Sequence, residues 1–125
     1  MSEQNEQVCD AGPTLLFACS GAADVGAVSD QAARRLSAAG DAQMFCLAGL
    51  GGRIEPIITK TKAASRIVAL DGCQLACAKA CLAEAGFSEC SHVCVTQLGF
   101  EKGNTPVNEA AVQQVVDKVH AVLNA

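Results

Sequence analysis

A chain of 125 residues is long enough for one domain with a real core, and at this size roughly two-thirds of the extended surface is buried on folding. Half of the residues are apolar, but aromatics are only 3% and Trp and Tyr are absent, so the core must be built from Val, Ile, Leu and Ala. A net charge of −4 with no basic face excludes nucleic acid as a main partner, and no apolar run reaches the ~20 residues that span a bilayer.

The polar, acidic N-terminus (MSEQNEQVCD) is wrong for an export signal and reads as a loose tail over residues 1–12, which sets the expectation of a cytoplasmic protein. Thr14 to Ala18 (TLLFA) then reads as a buried strand, ended by Cys19-Ser20-Gly21. From about Asp24, residues Val25, Val28, Ala32 and Leu36 recur at helical spacing, with Arg34 and Arg35 toward the C-terminal end and Gly40 as a stop. Ala42 to Leu47 is a second strand carrying Cys46 near its end, and the loop AGLGG (Ala48 to Gly52) follows. Ile54, Ile57, Ile58 and Thr61 predict a short helix, with Pro56 tolerable in its first turn.

The third strand, Ile67 to Leu70, breaks at Asp71-Gly72 into an Ala-rich helix that starts at Cys73 and stops at Gly86. A fourth strand is predicted over His92 to Leu98. A turn through Gly103-Asn104 leads to a last helix with Val112, Val115, Val116, Val119, Val122 and Leu123 facing inward. Four alternations of strand and helix in one domain imply an α/β fold: a three-layer, Rossmann/flavodoxin-like arrangement with a four-stranded parallel sheet in the order 2-1-3-4. Ligands of such sheets bind at the carboxyl ends of the strands, at the switch point between strands one and three.

Eight cysteines in a reducing compartment point to metal or redox chemistry rather than disulfides. Cys19, Cys46 and Cys73 each lie at or just beyond a strand end, so three segments deliver thiols to one crevice. A tetrahedral zinc site needs four sulfurs about 2.3 Å from the ion. Cys73 and Cys77, one turn apart, can share an ion, whereas Cys73 and Cys81 cannot if both are helical. The set favoured by this reading is Cys19, Cys46, Cys73 and Cys77, with Cys81 as a substitute. Asp71 either caps the Cys73 helix or orients the site. Read singly, Cys9, Cys81 and Cys94 behave as small buried hydrophobes. Cys90, His92 and Cys94 read as alternation at a strand start, and His120 as an exposed helix residue.

A strand, a cysteine and a small-residue loop before a helix is also how low-molecular-weight tyrosine phosphatases hold their nucleophile. Those enzymes place an Arg six residues after the cysteine; here that residue is Val25, and the phosphatase reading is rejected.

Taken together, LLFACSGAADVGAVSDQAARRL, MFCLAGLGG, IVALDGCQLACAKACLAEAGF and VTQLGFEKG resemble the DGC-domain family, small bacterial and archaeal proteins classed as zinc-binding and named for the tripeptide at Asp71-Gly72-Cys73. The resemblance implies a metal-binding role with no established reaction. It places the family's cysteine positions on Cys19, Cys46, Cys73, Cys77 and Cys81, and leaves Cys9, Cys90 and Cys94 outside. Three functions follow as expectations: a thiolate zinc protein, a thiol redox protein in which Cys73 attacks and Cys77 or Cys19 resolves, and an iron–sulfur cluster carrier. A metal ion is the expected partner.

Overall fold

The computed structural model describes residues 12–125; Cys9 and nearly all of the expected tail lie outside the described residues. The elements run β1 (Thr14–Ala18), α1 (Asp24–Ala38), β2 (Gln43–Met44), α2 (Leu47–Gly51) and α3 (Glu55–Lys62), then β3 (Arg66–Asp71), α4 (Cys77–Glu84), β4 (Ser91–Cys94), a 3-10 turn (Val95–Leu98) and α5 (Glu109–Leu123). The strands form one sheet in the order β2-β1-β3-β4, and every pair is parallel. This is the 2-1-3-4 order that the sequence alternation predicts.

Strand side chains alternate between two buried faces, which is why the strands are continuously apolar. Leu16, Ala18, Val68, Leu70 and Val93 face α1 and α5, where they meet Val25, Val28, Leu36, Val112, Val115 and Val119. Leu15, Phe17, Ile67 and Ala69 face the other way, onto Leu50 of α2 and Ala78 and Leu82 of α4. Each fully buried Leu or Val of these layers contributes about 1.5–3 kcal/mol relative to exposure. With no Trp or Tyr to fill space, the two layers close by near-total exclusion of water from small aliphatic side chains.

Three boundaries differ from the sequence expectation. The second strand is only Gln43–Met44, not Ala42 to Leu47, because Cys46 caps a helix. The AGLGG segment is therefore mostly the short helix α2 rather than a loop. The fourth strand ends at Cys94 rather than Leu98; the Thr96 amide donates to the Gly72 carbonyl at 3.1 Å and the chain curls into the 3-10 turn. The helix after β3 begins at Cys77, not Cys73. Residues 73–76 make a turn closed by the Ala76 amide on the Cys73 carbonyl at 3.0 Å, with Ala76 left-handed at φ 53°. Gly86, at φ +96°, ends the helix as expected.

Two glycines set how closely α1 meets the turns at the carboxyl edge. A Cβ on Gly72 would stand 2.8 Å from the Gly26 nitrogen, and one on Gly26 would stand 2.9 Å from the Gly21 carbonyl oxygen. Main chain rests on main chain there, which only glycine permits.

Candidate metal centre

Cys19 is the first residue beyond β1. Its amide donates to the Leu70 carbonyl at 2.9 Å, continuing the ladder with β3, and its carbonyl accepts from the Ser29 hydroxyl at 2.5 Å. The backbone of Cys19 is therefore fixed to two elements, while its thiol is half-buried at the sheet edge. Burial pushes this thiol up from its ordinary value. The adjoining Cys77 thiol and the Asp71 carboxylate push the same way, against a hydrogen bond from the Gly21 amide.

The other four predicted thiols stand on either side of Cys19. A cleft of about 450 Å³ is lined by Cys19, Cys46 and Cys81, with Ser20, Asp30 and Arg34 on its wall. Cys46 is the N-cap of α2, and its sulfur accepts from the Gly49 amide at 3.2 Å. Cys81, one turn beyond Cys77 on α4, faces the same cleft next to Gly51. A second cleft, of about 320 Å³, is lined by Cys19, Cys73 and Cys77, with Gly72, Leu75 and Lys102 around them. The favoured four-thiol set is thus divided between two clefts that meet at Cys19, and Cys81 keeps company with Cys46.

Asp71 ends β3 and is only 1% exposed. Its two carboxylate oxygens accept from the Ala78 amide at 2.7 Å and the Lys79 amide at 3.2 Å, capping α4 from seven residues upstream. The His92 Nε2 lies 2.9 Å from the same carboxylate. Capping is one of the two roles that the sequence offers for Asp71, though the capped helix starts four residues later than expected. His92 is a residue that the sequence reading passes over as strand alternation. The signal for it is the parallel register: Asp71 pairs with Cys94, so His92, two residues earlier, shares the face of Asp71 on the neighbouring strand.

Lys102 is a second residue not anticipated. Its ammonium stands 3.6 Å from the Cys73 sulfur. The loop that carries it is held by Asp24, whose carboxylate accepts from the Gly103 and Thr105 amides, both at 2.9 Å. Cys94 is buried with its thiol 3.3 Å from the Thr96 hydroxyl, and Cys90 packs among the α2–α4 side of the core. Val25, the position where a phosphatase would need Arg, is buried in the core. The seven cysteines among the described residues are all free thiols.

Five thiols at one sheet edge form a soft donor set suited to zinc and other thiophilic ions. Among the described residues, no three His, Cys, Asp or Glu side chains are already grouped as an ion site. Among the described residues, too, no helix is long and apolar enough to cross a membrane.

A doubly wound parallel sheet with a crest of thiols along its carboxyl edge defines the class of domain. The DGC domain model matches residues 15–119, and the chain belongs to that family. It is also 36% identical over 88 residues, 70% of this chain and 67% of the other, to the "Anaerobic and virulence modulator AnvM" of Pseudomonas aeruginosa. No solved structure matches the chain.

Proposed function

We propose that this is a cysteine-rich metal-binding protein that holds zinc through thiolates at the carboxyl edge of its sheet. The observation that carries the reading is the gathering of Cys46, Cys73, Cys77 and Cys81 around Cys19 in two adjoining clefts. These are the five positions at which the family resemblance puts the ligands. Zinc bound there closes the loops beyond β1, β2 and β3 onto one another, since each contributes a donor. Its role is regulatory rather than catalytic: the relative's name describes a modulator, and of the carboxylates near Cys19, Asp71 is occupied in capping α4 and Asp30 in accepting from Ser20 and Arg34.

The thiol redox reading is less well supported. In that reading Cys73 attacks and Cys77 or Cys19 resolves; resolution also proceeds through a thiolate, which burial disfavours at Cys19. A protonated thiol is no obstacle to zinc, which displaces the proton on binding. Native mass spectrometry of the protein before and after chelation tests the proposal. The expected result is a colourless protein with bound zinc that the chelator removes, and unchanged zinc content in Cys94→Ala. A brown protein carrying iron and sulfide, or no zinc after zinc loading under reducing conditions, would overturn it.

A further inference from the structure

The arrangement of the thiols says more than that a metal binds. In the sheet order β2-β1-β3-β4, the strands that lead to Cys46 and Cys73 lie on opposite sides of β1. They are separated by two strand spacings, about 9.6 Å. Tetrahedral zinc brings its sulfurs to about 4 Å of one another. Cys46 and Cys73 themselves lie beyond those strands, in the α2 cap and in the turn after β3, yet they line different clefts, and Cys19 stands between them and lines both. Helix α4 repeats the division, because Cys77 lines one cleft and Cys81 the other, about 6 Å further along the axis.

We propose that the crest holds two zinc ions rather than one, with the Cys19 thiolate bridging them. Cys73 and Cys77 complete three sulfurs around the first ion, and Cys46 and Cys81 do so around the second. The inference rests on the thiolate-zinc reading above and adds its stoichiometry. Binding releases the thiol protons and changes no oxidation state. Five thiolates and two Zn²⁺ leave one net negative charge, and the Lys102 ammonium, 3.6 Å from the Cys73 sulfur, is the cation at hand to offset it. Three protein sulfurs per ion leave each zinc a coordination position for one more donor.

Zinc titration of the unsubstituted protein under reducing conditions, read by native mass spectrometry, tests this directly. Two equivalents are expected at saturation. Alkylation mapping at each step should show one set of three cysteines protected first, and the other two only with the second ion. Cys46→Ser and Cys81→Ser should each retain one equivalent, as should Cys73→Ser and Cys77→Ser, while Cys19→Ser loses both at a zinc concentration that saturates the parent. Saturation at a single equivalent protecting four cysteines would overturn the two-ion arrangement and leave the zinc reading intact. No bound zinc at all would overturn both. The alkylation map needs no substituted protein, so a variant that fails to fold does not remove the test.

Discussion

Asp24 shows how a single half-buried carboxylate can position a site from a distance. It opens α1, yet it spends its oxygens on the Gly103 and Thr105 amides and on its own helix at Val25. Those bonds, that of Gly103 foremost, hold its carboxyl below the ordinary value of 3.8. A depressed carboxyl contributes stability that is present above the unfolded value and is lost as the pH falls through the lower folded value. The Gly103 and Thr105 amide resonances should therefore titrate together, with a midpoint below 3.8, and Asp24→Asn should abolish the transition. A midpoint at or above that value would show that the loop is held by something else. None of this was legible in the sequence. Asp24 could be read as a helix start, but a carboxylate that crosses to a loop late in the chain leaves no local pattern. Lys102 was hidden for the same reason. The cysteines were legible because residue type alone suggests their chemistry and strand ends alone suggest their place.

At the scale of elements, the alternation of buried strand and amphipathic helix was enough to give the parallel sheet and its order, since right-handed crossovers leave few alternatives. β1 was readable to the residue because it is apolar after Thr14 and ends in a Cys-Ser-Gly turn. Boundaries failed where a side chain or a distant carbonyl captured the main chain. Cys46 takes the Gly49 amide and shortens β2; Gly72 takes the Thr96 amide and shortens β4; Asp71 takes the first amides of α4 and fixes its start at Cys77. The last case leaves Ala76 left-handed immediately before a thiol of the site. An L-residue pays about 1–2 kcal/mol for that conformation, partly offset by the unfolded-state entropy that glycine adds. Ala76→Gly should therefore raise the denaturant midpoint, by the equivalent of about 0.5–1 kcal/mol, with an unchanged slope. A lower midpoint would mean that the methyl group packs in a way that outweighs the strain.

For the whole molecule, the sheet and the edge should respond differently to metal. The strands lie between two apolar layers, whereas the segments at their carboxyl ends reach those layers through fewer side chains, Leu50 chief among them. Chelation should increase hydrogen exchange in residues 19–23, 45–52 and 72–77 by tenfold or more, while the amides of β1 and β3 keep their protection. Uniform loosening of the sheet would show that the metal supports the core instead. The glycine contact between α1 and the turns has a consequence of its own. Gly21, Gly26 and Gly72 meet backbone to backbone beneath Cys19 and Cys73, so the gap between those two thiols is gauged by peptide units, whose dimensions no substitution alters. A methyl group at Gly26 or Gly72 would push these main chains apart, and with them the segments that carry Cys19 and Cys73.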